Sequence, residues 1–336
     1  MSTQATKSIG KKILSRSLLI AIPPLVLLAV VMLIGVQSLS SNATDRVSDS
    51  RETLAQDTVA VGSQEQAVSV AREINVILRE RVRDVAGWAR SAEVVAAADR
   101  GAEIFESRGL GEFTVEELEA EFESNRALDP FSSGGAFLDA ELESNPDFLR
   151  VFFTDVNGVT VSGTTPTEDF VHSDQEWWQE AMRSGLSLSD VEYDAGSNEF
   201  TVDVSVRIDH PETGRVIGVV KSSLSISFVQ EIATERSLET VEYIVALADG
   251  RLIADTASDH AQIRMMTVNF AGGAASPGLR TAMEAQLAPG TSDSDITDDA
   301  VYGYTSTLSE APLDIGQDGF SGFDWIVLSS QPADAA

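Results

Sequence analysis

The feature that most restricts the fold is a long segment without proline, from Asp45 to about Asp99. Apolar residues recur in it at the spacing of one helix face: Val70, Ile74, Ile77, Leu78, Val82, Val85, Ala89 and Ala92. This pattern predicts one long amphipathic helix over residues 45–100, with Gly62 as a place where it could break. At about 1.5 Å per residue, such a helix extends on the order of 80 Å and can serve as a spine for several domains. A coiled-coil stalk is the alternative, which the imperfect heptads leave open.

A basic tip and a long uncharged run precede this helix. Residues 1–16 carry four basic residues and no acidic one, and Leu18–Val36 then runs for 19 residues without a charge. The run nearly spans a hydrocarbon core of about 30 Å, so we expect residues 17–38 to be a transmembrane anchor. The basic flank predicts a cytoplasmic tip and an extracytoplasmic chain beyond Asp45. A signal peptide cleaved near Ala43 is the alternative.

The composition is strongly acidic. The 336 residues include 53 acids against 23 bases, a formal net charge of -30, and lysine occurs only at positions 7, 11, 12 and 221. Such a surface repels phosphates, which argues against nucleic acid as a partner. An excess of acidic residues combined with few lysines is typical of proteins from salt-loving organisms, although a genome that favours arginine would also give few lysines. The absence of cysteine excludes disulfides, thiol nucleophiles and zinc–thiolate sites.

Two strand-rich segments follow the long helix. In residues 101–228, strand-like runs flank Asn157-Gly158, and in residues 229–332 similar runs flank Asp249-Gly250. Both dipeptides are typical of tight turns between antiparallel strands. The sequence therefore predicts two consecutive modules, each with antiparallel strands and a helical insert.

A short aromatic helix lies among the strands of the first segment. Ser173 and Glu176 form a capping-box pattern ahead of Trp177 and Trp178. Because neighbours on a helix diverge by about 100°, one indole can join the core while the other faces a cavity. Framed by strands, this helix would form a cup for a small molecule; plain core packing of both tryptophans is the alternative.

The order of these elements resembles the double Cache (dCache) extracellular sensor domain of prokaryotic chemoreceptors and sensor histidine kinases. The resemblance rests on four sequence segments: Phe153-Thr-Asp-Val-Asn-Gly158, Asp174-Gln-Glu-Trp-Trp-Gln-Glu-Ala181, Gly218-Val-Val-Lys-Ser-Ser-Leu224 and Asp249-Gly-Arg-Leu-Ile-Ala254. The resemblance implies an α/β (α+β) fold with an N-terminal transmembrane helix, a long amphipathic helix and two tandem PAS-like modules with antiparallel sheets. It makes residues 101–228 the membrane-distal Cache module, which usually holds the ligand, and residues 229–332 the membrane-proximal one.

A subgroup of that family binds amino acids through a motif of Tyr, four residues, Arg, one residue, Trp and Tyr, followed later by Tyr and Asp. The resemblance implies a ligand-binding set at the matching or nearest positions of this chain: Phe170, Gln175, Trp177, Trp178, Tyr193, Asp203 and Ser223. Only Trp177 and Tyr193 keep the residue type of the motif. Gln175 replaces the Arg, Ser223 stands near the position of the Asp, and Asp203 is the nearest acid that could substitute for it.

These departures change the expected ligand. An Arg binds a carboxylate through charged, bidentate hydrogen bonds, whereas the amide of Gln175 offers neutral ones. Since Ser223 replaces the acid as well, the cup is not expected to bind a typical amino acid. The aromatic walls leave three alternatives: an apolar, aromatic or quaternary-ammonium ligand held by cation–π contact, no ligand, or a partner protein.

No catalytic motif accompanies this site. The three histidines are scattered, and neither a phosphate-binding loop nor a His-Glu-x-x-His metal motif occurs. We therefore expect no enzyme, cofactor or metal, and interpret the chain as the extracytoplasmic ligand-sensing ectodomain of a membrane-bound, homodimeric chemotaxis transducer or sensor kinase. A membrane-anchored adhesion or scaffolding module that binds another protein is the alternative. Because no second span or output domain follows Trp325, we expect the sequence to be a fragment of a longer receptor; a stand-alone anchored module is the alternative.

The acidic composition leads to a testable expectation about salt. If the chain is adapted to high salt, the free energy of unfolding of the part from about residue 45 should fall as salt is removed, because unscreened carboxylates repel one another. Denaturant unfolding at molar and at low potassium chloride measures this dependence. Full folding in low salt would count against the adaptation.

Overall fold

The computed structural model describes Arg46 and residues 54–124, 132–257, 276–297 and 299–333. The chain divides into two compact units, Met1–Thr58 and Val59–Ala336. In the smaller unit the described residues are helical. The predicted basic tip and anchor, residues 1–38, lie outside the described residues. None of the helices in the described part is both long and apolar enough to cross a membrane.

The larger unit begins with helix α1, which covers residues 59–88 of this unit and ends in a turn at residues 89–90. Ser91 then caps helix α2, Ala92–Ser107, because its side-chain oxygen accepts a hydrogen bond from the Val94 N–H. The single helix expected over residues 45–100 is thus interrupted by this cap. Gly62, the expected place for a break, lies within α1.

Helices and strands alternate through the rest of the unit. After α2 and a short 3-10 turn, Leu110–Glu112, the helices are α3 Val115–Ser124, α4 Ser132–Ser144, α5 Glu176–Ser184, α6 Ser227–Arg236 and α7 Pro277–Ala285. The strands are β1 Phe148–Asp155, β2 Thr160–Gly163, β3 Leu186–Leu188, β4 Glu192–Asp194, β5 Glu199–Asp209, β6 Val216–Ser225, β7 Glu242–Leu247, β8 Leu252–Asp255, β9 Ser292–Ile296, β10 Ala300–Ser306 and β11 Trp325–Pro332.

The strands form two antiparallel sheets, as the predicted hairpins required. The first sheet has the order β2-β1-β6-β5-β3, with β4 also paired to β5, and the second has the order β8-β7-β11-β10-β9. Asn157-Gly158 joins β1 to β2, and Asp249-Gly250 joins β7 to β8. Gly158 and Gly250 have positive φ angles of 81° and 90°, which explains glycine at these turns. The mixed α/β fold with antiparallel sheets is therefore confirmed.

Local side-chain bonds start and shape two of these elements. A capping box starts α3, because Thr114 N–H donates to Glu117 Oε2 at 2.9 Å and Glu117 N–H donates to Thr114 Oγ1 at 3.2 Å. The similar pattern at Ser173 and Glu176 does not form a cap. Helix α5 begins at Glu176 itself, with Gln175 as an N-cap that makes no side-chain bond.

Helix α1 packs against the second sheet near its own start. Ser329 Oγ donates to the carbonyl of Ser63 at 2.6 Å, and Gln331 Nε2 donates to Ser63 Oγ at 2.6 Å. Gly303 of β10 lies directly against the backbone of Ser63 and Gln64, so no side chain fits between strand and helix. The small residue is therefore a requirement of this close approach.

The same helix packs against the first module near its end. Trp88 Nε1 donates to Glu141 of α4 at 2.9 Å, and the Trp88 ring stands edge-on to Phe148 of β1 at 4.7 Å between centroids. Between these two contact regions, Ile74, Leu78, Val82 and Val85 are 0% exposed and belong to one hydrophobic cluster with strands of both sheets. Ser63 and Trp88 are 25 positions apart, or about 38 Å of helix, so α1 is a shared spine.

Two glycines near the contact of α1 with β10 test this close packing. Gly303→Ala should lower the free energy of unfolding by at least about 2 kcal/mol, because the added methyl group meets helix backbone that cannot rotate away. Gly62→Ala is the matched control: its methyl group meets nothing within 4 Å, and alanine should stabilise the helix by about 0.5–1 kcal/mol. Denaturant unfolding of the two variants measures both effects, and equal stability of the two would contradict the packing described.

Candidate functional site

A cavity of about 430 Å³ lies on one face of the first sheet. The sheet wall is formed by side chains of β1, β5 and β6, and the loop wall by residues 165–175 and 189–195. Trp177 of α5 closes one side. Aromatic rings line the cavity at Phe152, His172, Trp177 and Tyr193, and charged groups line it at Arg150, Glu168, Asp169, Glu192, Asp194, Asp203 and Lys221.

The strand register brings the sheet-wall residues together. Arg150 of β1 and Asp203 of β5 are both Cα partners of Ser223 on β6, so the three form one row across three strands. Phe152 and Lys221 are partners in the next row on the same face. Side chains two positions apart on a strand share a face, which places all five residues on the wall of the cavity or directly beneath it.

The row is joined by polar contacts. Arg150 Nε donates to Ser223 Oγ at 2.9 Å, and Ser223 Oγ donates to Asp203 Oδ1 at 2.5 Å. Asp203 Oδ2 forms an ion pair with Lys221 Nζ at 2.9 Å, where the two side chains are 22% and 15% exposed. A single carboxylate therefore links both cations of the sheet wall, one directly and one through a serine.

Trp177 is packed among the same residues. Lys221 Nζ lies 4.3 Å from the centroid of the Trp177 ring, a cation–π contact. Phe152 meets the indole edge-on at 5.9 Å, and His172 lies 5.4 Å from it. The indole thus faces the cavity while its position is fixed by neighbours on both walls.

Trp178 points elsewhere, as expected for adjacent positions on a helix. It is buried with Ala181 and Val219, and its Nε1 donates to Thr154 Oγ1 at 2.9 Å. Of the two tryptophans, Trp178 joins the core and Trp177 lines the cavity. The interpretation that the two indoles divide these roles is therefore confirmed.

His172 is a buried neutral histidine on the loop wall. Its Nε2 lies 3.0 Å from Thr160 Oγ1, and the side chain is 5% exposed. Burial, with a smaller contribution from the charge of Lys221, lowers the pKa of His172 from 6.5 to about 4. The imidazole is therefore neutral at pH 7 and adds no charge to the cavity.

The loop wall is held from outside by α3. Glu119 accepts hydrogen bonds from the N–H groups of Phe170 and Val171 at 2.6–2.9 Å. The Phe170 ring stacks on Phe122 at 4.5 Å between centroids and is 2% exposed. Phe170 therefore anchors the wall in a small core of its own and does not line the cavity.

The structure brings most of the predicted ligand-binding set together. Gln175, Trp177, Tyr193 and Asp203 line the cavity. Ser223 lies between Arg150 and Asp203 with its hydroxyl bonded to both. Phe170 and Trp178 do not reach the cavity, because Phe122 and Thr154 hold them in the cores on its far sides.

Sequence reasoning missed the cations of the site. The comparison with the amino-acid motif suggested that the cup had lost its charged anchors, whereas Arg150 and Lys221 enter it from β1 and β6. One signal was available: Lys221 is the only lysine after position 12. Arg150 could have been found only from the pairing of β1 with β6.

The site also borders the second module. Ser189 lines the cavity, and its backbone N–H donates to the Asp203 carbonyl at 3.0 Å while its Oγ accepts from the Asp203 N–H at 2.8 Å. The same serine lines a second cavity of about 310 Å³ together with Asp249, Arg251 and Trp325 of the second module. Ser189 therefore connects Asp203, to which it is bonded, with the region where the two modules meet.

A family model described as a Cache domain matches residues 50–336. Among solved structures, the extracellular domain of vpHK1S-Z8, assigned as a histidine kinase, is similar at 10% identity and a TM-score of 0.52, covering 83% of this chain and 96% of that one. This likeness shows the fold. No curated protein matches the chain.

Two chemoreceptor structures are also similar, at lower TM-scores. The ligand-binding domain of Pseudomonas fluorescens CtaA with L-serine has 12% identity and a TM-score of 0.47, covering 83% of this chain and 99% of its own. That of Pseudomonas aeruginosa PctB with L-Arg has 15% identity and a TM-score of 0.45, covering 83% and 97%.

The lowered pKa of His172 predicts a pH dependence of stability. The folded-state pKa of about 4 lies below the unfolded value of 6.5, so the unfolded chain binds a proton first as the pH falls. The contribution of His172 is complete above pH 6.5 and is lost towards pH 4, an effect of about 3 kcal/mol.

Unfolding free energies of the wild type and of His172→Gln between pH 4 and 7 measure this effect. The difference between the two proteins should change across that window. His210→Gln, in the turn after β5, controls for the loss of a histidine outside the cavity. Parallel pH profiles for the wild type and His172→Gln would contradict the neutral, buried histidine.

Proposed function

This chain belongs to the Cache domain family, and on that premise we propose that it is the extracytoplasmic ligand-sensing ectodomain of a membrane-bound signal-transduction receptor, a chemotaxis transducer or a sensor kinase. The observation that carries the proposal is the cavity on the first sheet. It is large enough for a small solute, at about 430 Å³, and it combines aromatic rings with converging charged groups. Those are the properties of a small-molecule binding site.

Membrane attachment is the second part of the proposal. It is supported by the sequence, in which the basic tip and the uncharged run Leu18–Val36 have the length and the charge asymmetry of an anchored segment. The ligand cavity would then lie outside the cytoplasm. A homodimer is part of the same proposal.

Sensing requires that a ligand favour one of two states of the protein. The route by which a bound ligand could do so is supported by two contacts. Helix α1 packs against both sheets in one cluster, and Ser189 joins the cavity to the second module. A ligand that binds one arrangement of the sheet wall more tightly would shift the populations of that packing.

We propose a binding role and no catalytic one for the cavity. Asp203, the carboxylate of the sheet wall, is already bonded to Lys221 and Ser223, and His172 is neutral with Thr160 as its hydrogen-bond partner. Both groups have a hydroxyl as a partner, but Ser223 is only 1% exposed and also accepts a hydrogen bond from Arg150, so we assign these bonds to stabilising the wall.

A thermal-shift screen of the purified full chain against small solutes tests this function. A compound that raises the unfolding temperature supports the sensor, since a ligand at about 100 times its Kd adds about 2.7 kcal/mol of stability. If no compound stabilises the chain while it captures a protein partner through its modules, the sensor proposal fails and the adhesion or scaffolding alternative replaces it.

The adjacent tryptophans provide the matched variants for a compound found in that screen. Trp177→Ala and Tyr193→Ala should abolish most of its thermal shift, because both rings line the cavity. Trp178→Ala should instead lower the stability of the unliganded protein by about 3–5 kcal/mol, because that ring fills the core. Equal loss of binding in Trp177→Ala and Trp178→Ala, with equal loss of stability, would contradict the division of roles.

A further inference from the structure

We infer that Gln317 of the second module is a positioning residue for the ligand cavity, because it caps the end of helix α5 and so determines where Trp177 stands. This role rests on the proposed function, in which the cavity binds the ligand, and it identifies a residue through which the second module acts on that cavity. The hydrogen bonds at the last turn of α5 carry the inference.

The last turn of α5 has every carbonyl bonded. An α-helix leaves its last four carbonyls without partners inside the helix. In α5 these are the carbonyls of residues 181–184, and all four accept a hydrogen bond. Gly185 and Arg207 of the first module donate to the first two, at 2.8 and 3.3 Å. The last two bind a residue of the second module.

Gln317 supplies both of the remaining donors. Its backbone N–H donates to the Ser184 carbonyl at 2.8 Å, and its side-chain Nε2 donates to the Arg183 carbonyl at 3.2 Å. The carbonyl end of a helix carries a partial negative charge, so donors there are favourable. Gln317 and Arg183 are 134 positions apart in the sequence, so half of this helix end is capped from the other module.

Two glycines allow the two backbones to come this close. Gly185 and Gly316 have φ angles of 92° and 72°, and a Cβ added to Gly185 would lie 3.1 Å from the Gly316 Cα. A Cβ added to Gly316 would lie 3.0 Å from the Leu186 Cβ. Both positions combine a left-handed φ with a close contact, so a larger residue at either one would separate Gln317 from α5.

The segment behind this cap is firmly attached to the second module. It is an arm, residues 309–321, between β10 and β11, which are neighbours in the second sheet. Within the arm, Leu313 and Phe320 exchange backbone hydrogen bonds at 2.8 and 2.9 Å, and Arg79 of α1 donates to a carbonyl of the arm at 2.6 Å. Ile315 and Phe320 are buried in the cluster around α1. The arm therefore moves with the second sheet and with α1.

The other end of α5 is held less tightly. Its N-cap, Gln175, makes no side-chain bond, while Trp178 and Ala181 fix the middle of the helix in the core. Trp177 precedes this fixed point and Ser184 follows it. Because a helix of about 2.5 turns is stiff, a shift of its capped end turns it about the buried Trp178 and moves the Trp177 ring. That ring lines the cavity, so the arrangement of the second module reaches the ligand site.

Coupling through this cap acts in both directions. A ligand that binds one position of Trp177 more tightly favours the matching arrangement of the cap by the same free energy. Gln317 thus links occupancy of the cavity to the second sheet.

Fluorine NMR of the purified full chain, labelled with fluorotryptophan, tests this role without any ligand. The signals of Trp177 and of Trp88, at the end of α1, are assigned by their Phe variants. Gln317→Glu keeps the size of the side chain but replaces the donor by acceptor oxygens and adds a negative charge at the carbonyl end of the helix. It should shift the Trp177 signal and leave the Trp88 signal unchanged.

Two further variants serve as matched controls. Gln317→Lys keeps a donor, and its positive charge suits the helix end, so the Trp177 signal should stay at the wild-type position. Asp318→Asn changes the charge of the exposed neighbouring residue on the arm. None of the bonds to α5 described above involves the Asp318 side chain, so this variant should leave the signal unchanged as well.

Hydrogen exchange measured by mass spectrometry follows α5 itself. Gln317→Glu should make the amide hydrogens of the last turn exchange about 2- to 10-fold faster, which is the effect of losing one hydrogen bond. Gly316→Ala should have the same effect through the backbone, because its methyl group pushes the arm away from Leu186. Since Gln317 is exposed, its variants should unfold near the wild-type temperature, which separates a local change from lost folding.

An unchanged Trp177 signal with unchanged exchange in Gln317→Glu would overturn the positioning role. An equal shift in Gln317→Lys, or an equal shift of the Trp88 signal, would overturn it too. If a solute screen finds a stabilising compound while Trp177 does not respond to Gln317, the role falls and the proposed function stands. If Trp177 responds but no solute binds, the proposed function falls and the positioning of Trp177 stands.

Discussion

The packing of helix α1 against both sheets is the contact on which the rest of this fold depends. Neither sheet is enclosed by its own module alone, because one hydrophobic cluster joins residues of α1 and α2 to both sheets. Full burial of a side chain such as Leu78 or Val82 contributes about 1.5–3 kcal/mol each. Several such residues lie in succession on α1, so the helix cannot leave one sheet without disturbing the other. The two modules therefore act as one compact unit.

Because one face of the first sheet lies in this shared core, its opposite face can carry polar groups. Val151, Phe153, Val202 and Val204 point into the core, while the alternate positions on the same strands carry Arg150, Phe152 and Asp203. A charged row on a central sheet is costly unless each group is bonded. Here Ser223 connects the outer two charges, and Lys221 balances the acid. The site is thus a row of mutually bonded polar groups supported by a largely apolar layer behind it.

Local features of this fold could be predicted from the sequence because their causes are local. The Asn157-Gly158 and Asp249-Gly250 turns, the Thr114–Glu117 capping box and the divergence of Trp177 from Trp178 each depend on a few neighbouring residues. The sheet wall could not be predicted, because it depends on which strand pairs with which and in what register. Arg150 and Lys221 are 71 positions apart, and β1 and β6 are neighbours only in the folded sheet. Phe170 was expected in the site for the same reason, because no residue near it in the sequence indicates that its ring packs on Phe122 and that its N–H binds Glu119.

The way in which Asp203 is held suggests how the cavity and the second module are coupled. Its side chain pairs with Lys221, and its backbone is bonded on both sides to Ser189. A ligand that took Lys221 as a partner would compete with Asp203 for it, so ligand binding and the Asp203 ion pair would oppose each other. Weakening that pair loosens the strand position that Ser189 clamps. Ser189 and Val191 in turn line the cavity shared with Asp249 and Trp325. Because that second cavity leaves space between the modules, a small movement of this segment can be accommodated there without breaking the packed core of α1.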